Sequence, residues 1–329
     1  MEKLLQVDQL ETEFTKDKQK IKILRGVNFY IKKGEVLGLV GESGCGKSLT
    51  SLSIMKLFKG TSGEISGGRI YFKGEDLTNK SEREMRKIRG KQMAMIFQEP
   101  MTSLNPVMKI GEQLLEPIRL HTGLNEKLAK EHAIFILKKV GIPRAEEIIN
   151  EFPHQMSGGM RQRIMIAMAM SCNPQLVIAD EPTTALDVTI QAQILELMKQ
   201  LQREEEMSVL LITHDLGVVA EMCDRVAVMY AGRIVEEANV FDLFESPKHP
   251  YTKGLIGSVP KIGQKKEKLD SIKGNVPDPS YMPKGCKFAP RCNDAMPICL
   301  EEEPDVTELE NSRLCSCWMY TEGRRDIYV

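Results

Sequence analysis

GESGCGKS, Gly41 to Ser48, is the stretch that decides the fold. It matches G-x-x-x-x-G-K-[ST], a loop that cradles phosphates. Ahead of it, Val36-Leu37-Gly38-Leu39-Val40 is an apolar run of buried-strand length. Behind it, Leu49 to Leu57 reads as a helix, with Leu49, Leu52, Ile54 and Leu57 apolar. Strand, loop and helix in that order are the context the pattern requires. Gly41, Gly44 and Gly46 let the backbone turn so that successive N–H groups face phosphate oxygens. The helix N-terminus adds partial positive charge at the same point. Lys47 reaches the terminal phosphates, and the Ser48 hydroxyl is placed to ligate Mg²⁺. A chance match in a glycine-rich turn is the competing reading, and the flanking segments argue against it.

Working outward, polar residues close several further apolar runs. Met93-Ala94-Met95-Ile96-Phe97 ends at Gln98. Leu176-Val177-Ile178-Ala179 ends at Asp180-Glu181, and Val209 to Thr213 ends at His214-Asp215. The carboxyl ends of such strands are where α/β proteins place ligand groups. Two carboxylates there suit one Mg²⁺-associated group and one base. An isolated Gln is commonly a surface residue and a lone His commonly structural; the company of the other strand ends favours a role at the phosphates for His214. Ser157-Gly158-Gly159 opens a helix over Met160 to Met170, with Ser157 as N-cap and bare N–H groups facing outward as a second anion site. The Met165, Met168, Ala169 face is read as core packing. Ala185-Leu186-Asp187 precedes a helix over Ile190 to Leu201.

Other segments supply scaffold. Residues 4–14 alternate as a strand, with Leu5, Val7 and Leu10 apolar, and Gly26 to Ile31 is a second strand closed by Lys32-Lys33-Gly34. Phe14 reads by itself as an ordinary core residue. Gly67 to Gly74 is a turn, a short strand and a turn, and Ile110 to about Gly141 is mostly helical with a break at Pro117. Val226 to Tyr230 and Arg233 to Val235 flank Ala231-Gly232, a hairpin signal. From about Glu245 the composition shifts to a polar, proline-punctuated tail, read as a linker and a small loop-rich appendage.

Composition narrows the function classes. The chain has 329 residues, enough for one large domain or two modest ones, and 42% of them are hydrophobic, so a sizeable core is available. Lys+Arg 45 against Asp+Glu 46 leaves a net charge of -1, without the basic bias of a nucleic-acid binder. No apolar run is long enough to span a bilayer, and the N-terminus lacks a signal-peptide pattern. These features predict a cytosolic chain whose membrane work, if any, relies on other subunits. Of 8 cysteines, Cys45, Cys172 and Cys223 are scattered, while Cys286, Cys292, Cys299, Cys315 and Cys317 crowd the tail. A loop-rich segment needs a staple, and in a reducing compartment that staple is metal before disulfide. The spacings are wide: five residues between Cys286 and Cys292, six between Cys292 and Cys299, one between Cys315 and Cys317. Zinc sites usually show tighter C-x₂₋₄-C pairs, whereas iron–sulfur clusters tolerate looser spacing. Zinc and free buried thiols stay open as alternatives.

Taken in order, these motifs resemble the ATP-binding-cassette ATPases, and more closely the ATP-binding subunits of oligopeptide/dipeptide importers. The phosphate loop GESGCGKS is followed by a glutamine loop, IFQEPMTSLNP at 96–106, and by MSGGMRQR at 156–163 in place of the family signature. LVIADEP at 176–182, the D-loop ALD at 185–187 and the switch histidine in THD at 213–215 complete the set. The resemblance covers about residues 4 to 295; ESPKHPYTKGLIGSVP at 245–260 and GCKFAPRC at 285–292 resemble the peptide-importer branch specifically.

The resemblance implies an α/β fold: a RecA-like P-loop core, an N-terminal antiparallel β subdomain, a helical subdomain inserted between Gln98 and Ser157 (about residues 100–165), and a small Cys-rich C-terminal appendage. The cassette would occupy residues 1–244 and the importer-type extension 245–329. ATP would contact Gly41, Ser43, Gly44, Cys45, Gly46, Lys47, Ser48 and Leu49, with Phe14 aligned to the adenine-stacking aromatic. Ser48 and Gln98 would coordinate Mg²⁺ with Asp180 in support, Glu181 would polarise the attacking water, and His214 would sense the γ-phosphate. Ser157, Gly158, Gly159 and Asp187 would act on ATP held by a second cassette in a head-to-tail dimer. Met160 stands where the family commonly has Gln, but the Ser and both Gly remain, so activity is expected. The family pattern further implies a [4Fe–4S] cluster on Cys286, Cys292, Cys299 and Cys317, leaving Cys315 spare. The implied partners are two membrane permease subunits, a second ATPase subunit (a homologue or a copy of this chain) and, indirectly, an extracytoplasmic solute-binding protein. The implied location is peripheral, on the cytoplasmic face of the membrane, with no nucleic-acid partner. Nickel or another small solute is the alternative cargo. A soluble cassette of repair or translation is disfavoured by the single unbroken cassette and the missing coiled-coil heptads.

Overall fold

The computed structural model describes residues 2–58, 60–98, 103–184, 186–258 and 272–321. The chain divides into two compact units, one built on Ile31–Val36 and Asn79–Leu211, the other on Leu5–Tyr30, Leu37–Thr78 and Ile212 onward.

In the first unit, strands Met93–Ile96 and Leu176–Asp180 pair in parallel, with Met93 opposite Leu176 and Ile96 opposite Ala179. Leu176–Asp180 is buried at every residue, the pattern of a parallel strand covered on both faces. Helices Ile110–Thr122, Glu126–Lys139 and Gly158–Met170 pack on one another through buried Leu114, Ile118, Ala133, Leu137, Ile164 and Ala167. The expected break at Pro117 is not there: the helix runs through it and ends at Gly123, whose left-handed φ of 73° closes the last turn. Asn125 then caps the next helix, accepting the Leu128 N–H at 3.0 Å. Helix Val188–Glu204 begins at Asp187 and buries Ile194, Leu197, Met198 and Leu201 at helical spacing.

In the second unit, an antiparallel sheet runs in the order Gln19–Lys32, Lys3–Lys16, Gly63–Phe72, Glu75–Asp76. The step from Val7 to Leu10 breaks the period of two, and the structure places a bulge there: Gln9 adopts φ 49° and the register slips between Asp8 and Glu11. Leu5, Val7 and Leu10 are thereby all fully buried. Leu37 to Val40 pair in parallel with Arg225 to Val228. Strand Arg225–Tyr230 turns back through Ala231 and Gly232, both at positive φ, into Arg233–Asn239. The tail joins this sheet, since Arg313–Cys315 pairs antiparallel with Arg233–Asn239 and with Thr307–Leu309. The proline-punctuated tail also forms helices Pro250–Gly257 and Pro297–Glu301, each with its proline at the first position. Among the described residues no helix is long and apolar enough to cross a membrane.

Candidate functional site

The second unit carries the phosphate loop. Val36–Val40 is wholly buried, and the helix that follows starts at Lys47. Gly41 sits at φ 156°, and a Cβ there would lie 2.2 Å from the Met229 carbonyl oxygen. Only glycine fits that approach. Gly46, at φ 110°, ends the loop in the left-handed region. Lys47 is 6% exposed, and its Nζ donates to the Gly41 carbonyl at 2.7 Å and the Glu42 carbonyl at 3.1 Å. Ser43, Gly44 and Ser48 are exposed, Leu49 is half-buried and Cys45 is buried, its thiol pushed up by burial. Phe14 is not a core residue: it is half-buried, opposite Gly63 in the strand pair, with Phe58 edge-on at 6.4 Å. His214 is exposed just past strand Ser208–Thr213, and Asp215 caps the next helix by accepting the Gly217 N–H at 2.8 Å.

The first unit carries the carboxylates. Asp180, 5% exposed, ends its strand, and Glu181 follows in the left-handed region at φ 48°. Such strain persists where the surroundings hold it, often at sites of function. The Glu181 Oε2 accepts from Gln98 Nε2 at 2.8 Å and from Thr184 Oγ1 at 2.9 Å. Thr184 carries no motif mark in the sequence; its only signal is its place three residues past Glu181. With its NH₂ donating to Glu181, Gln98 also carries an amide oxygen, a group that can accept or ligate a cation. The Ser48 hydroxyl, Gln98 amide oxygen and Asp180 carboxylate are hard oxygen donors of the kind Mg²⁺ takes.

Ser157 caps helix Gly158–Met170, its Oγ accepting the Met160 N–H at 3.3 Å. Ser157 and Gly158 are exposed. A Cβ at Gly159 would stand 2.9 Å from Ile190 Cγ2, so glycine lets the signature turn approach the D-loop helix. Asp187 caps that helix, accepting the Ile190 N–H at 3.0 Å. Gln162, 1% exposed, donates to the Pro182 carbonyl at 2.5 Å and ties the signature helix to the segment after Glu181. The sequence reading passed over Gln162.

Among the described residues no three His, Cys, Asp or Glu side chains stand together closely enough to hold one metal ion. The expected tail staple is therefore not formed as a single-ion centre. Cys286, Cys292, Cys299 and Cys317 nonetheless line one cavity beside Trp318, Phe288 and His249, and Cys315 does not. Cys315 is buried in the sheet opposite Glu236. Burial raises the thiols of Cys286, Cys292 and Cys317, the last to about 12, so without a bound cation they stay protonated. Four thiols lining one cavity are the donor type that an iron–sulfur cluster takes.

The tail also reaches the phosphate loop. Tyr251, fully buried, accepts the Glu42 N–H on its hydroxyl at 2.8 Å. Arg291 donates to both Glu42 carboxylate oxygens, at 2.6 and 2.9 Å. Tyr230, Tyr251 and Phe288 pack their rings 4.6 to 5.4 Å apart beneath. Sequence reasoning missed these roles, although both residues lie inside the segments that mark the importer branch.

Comparison with known proteins agrees with this layout. Residues 24–184 match the family described as ABC transporter, and residues 235–299 match the oligopeptide/dipeptide transporter C-terminal region. The chain is 54% identical to the oligopeptide transport ATP-binding protein AppD of Bacillus subtilis, covering 98% of each. It is 51% identical to the dipeptide transport ATP-binding protein DppD of the same organism, covering 97% of this chain and 95% of that one. Among solved structures, the dimeric cassette MJ0796 aligns with TM-score 0.64 and 27% identity over 72% of this chain and 98% of that chain. The cassette cbiO1 of Clostridium perfringens aligns with TM-score 0.63 and 26% identity over 75% of this chain and 92% of that one.

Proposed function

The chain belongs to the ATP-binding-cassette transporter ATPases, of the oligopeptide/dipeptide importer type, and from that premise we propose that it hydrolyses ATP to power peptide import. It works with membrane permease subunits. The observation that carries the catalytic reading is Glu181, held by Gln98 and Thr184 at the end of a buried strand. In this reading Lys47 exchanges the Gly41 and Glu42 carbonyls for phosphate oxygens of ATP. The other loop residues present their N–H groups to the phosphates, and Phe14 stacks on the adenine. Ser48 and Gln98 hold Mg²⁺, with Asp180 in support; the ion supplies positive charge to the phosphate oxygens. Glu181 polarises the attacking water, and His214 senses the γ-phosphate. The Ser157-Gly158-Gly159 turn, exposed at Ser157 and Gly158, serves ATP bound by a second cassette, with Asp187 lining that contact.

Two permease subunits, a second homologous or identical ATPase subunit and an extracytoplasmic solute-binding protein complete the transporter, and the chain sits peripherally on the cytoplasmic face. Residues 1–244 form the cassette and 245–329 the extension. The extension would hold a [4Fe–4S] cluster on Cys286, Cys292, Cys299 and Cys317, a reading supported by the cavity these four residues share. The cargo is tested by reconstituting the chain with its permeases and binding protein in vesicles. ATP-dependent uptake of labelled peptide is expected. Uptake of Ni²⁺ with no response to peptide would replace the peptide reading.

A further inference from the structure

Glu42 is an awkward residue for a loop that receives polyphosphate. Its side chain adds negative charge where negative charge will arrive. The structure answers with one cation. Arg291 engages both oxygens of Glu42 in a fork, at 2.6 and 2.9 Å, a geometry that only a guanidinium provides. The Arg291 side chain is 4% exposed. The rest of its fork is tied down: Nε donates to the Lys273 carbonyl at 2.9 Å and Nη2 to the Gly274 carbonyl at 3.1 Å. Tyr251 fixes the same loop residue through its backbone, accepting the Glu42 N–H at 2.8 Å. Both anchors come from sequence more than 200 residues downstream of the loop, by the separations of 209 and 249 positions.

We infer that Arg291, with Tyr251, is a positioning residue for ATP: it neutralises Glu42 and holds the phosphate loop in its receptive shape from the C-terminal extension. This rests on the ATP reading above. A preformed nest of N–H groups binds phosphate without the cost of ordering the loop. Loss of the fork would leave the Glu42 carboxylate unpaired in the loop and free the loop to move. Arg291 immediately precedes Cys292, and Cys292 N–H bonds to the Ala289 carbonyl at 3.2 Å in the turn that also carries Phe288. The cysteine-lined part of the extension is thus joined to the phosphate loop by one short turn.

The test is equilibrium binding of a fluorescent ATP analogue to the purified full chain, with thermal unfolding followed in parallel. Wild type should bind and Lys47→Ala should not; a wild type that fails to bind overturns the ATP reading and this one with it. Arg291→Ala is expected to weaken binding about tenfold, the scale of one charge-assisted hydrogen-bonded pair. Arg291→Ala combined with Glu42→Gln should regain part of that loss, because the unpaired charge is gone. Arg291→Lys should fall between wild type and Arg291→Ala. Should Arg291→Ala not fold, Tyr251→Phe decides: it keeps the ring and removes only the acceptor, and about threefold weaker binding at an unchanged unfolding midpoint is expected. Wild-type affinity in the folded variants, or a lowered unfolding midpoint with affinity unchanged, would show the contacts to be merely structural and overturn the inference.

Discussion

Gln98 donates its side-chain N–H to Glu181 at 2.8 Å, across 83 positions of sequence. The bond pairs the glutamine at the end of one parallel strand with the carboxylate beyond its neighbour. Thr184 holds the same carboxylate oxygen at 2.9 Å. Glu181 therefore has a fixed direction.

The glutamine is expected to act on turnover more than on affinity. Gln98→Ala should lower the ATPase rate roughly tenfold or more while changing ATP binding less, since its bond to Glu181 serves the hydrolytic step. Thr184→Val should show a smaller loss of the same kind. Steady-state kinetics over a range of ATP concentrations separates the two effects.

The loop geometry gives a backbone prediction. Gly41→Ala would place a Cβ 2.2 Å from the Met229 carbonyl oxygen, a contact that only backbone movement relieves. ATP binding should be lost along with thermal stability. The same change at Gly44, where a Cβ meets nothing within 4 Å but φ is 79°, should cost about 1 kcal/mol of backbone strain and leave binding measurable. Calorimetric titration with ATP and a thermal melt of each variant test the contrast.

The aromatic group under the loop should matter for stability. Phe288 is 4% exposed among the Tyr230, Tyr251 and His249 rings. Phe288→Ala should cost about 3–5 kcal/mol, which lowers the unfolding midpoint by about 6 °C or more. Phe288→Leu, closer in volume, should recover much of this. A melt of Phe288→Ala within a degree of wild type would contradict the packing account.

Anaerobic purification tests the tail. Brown protein with iron and acid-labile sulfide is expected. Cys317→Ser should lose it, and Cys315→Ser should keep it, because Cys315 faces the sheet and does not line the cavity. Colourless protein with stoichiometric zinc would overturn the cluster. Loss of the cluster in Cys315→Ser alone would overturn the ligand choice.

Much of this was legible because short-range chemistry writes itself into sequence. The glycines of Gly41–Ser48 report backbone angles, and Ser157 reports a helix start. The bulge between Asp8 and Glu11 escaped the reading of residues 4–14 as one alternating strand, although Val7 and Leu10 stand three apart. Pro117 misled, because a proline inside a helical pattern signals a break, whereas this helix runs through it and Gly123 supplies the stop. The contacts of Arg291 and Tyr251 with Glu42 were not legible, since pairing across 249 and 209 positions leaves no local periodicity. Thr184 and Gln162 escaped for a related reason: each acts through one hydrogen bond that any polar residue in a loop or helix could make or not make. The cysteine spacing announced a shared purpose but not which thiols face one another.

The central claim is that Glu181 is the base that turns bound ATP over. Glu181→Gln keeps the size and hydrogen-bonding of the side chain and removes its charge. ATP hydrolysis by the assembled transporter should fall roughly 10²-fold or more, with ATP binding retained and ATP-bound dimers accumulating in light scattering. Near-normal turnover by Glu181→Gln would contradict the account.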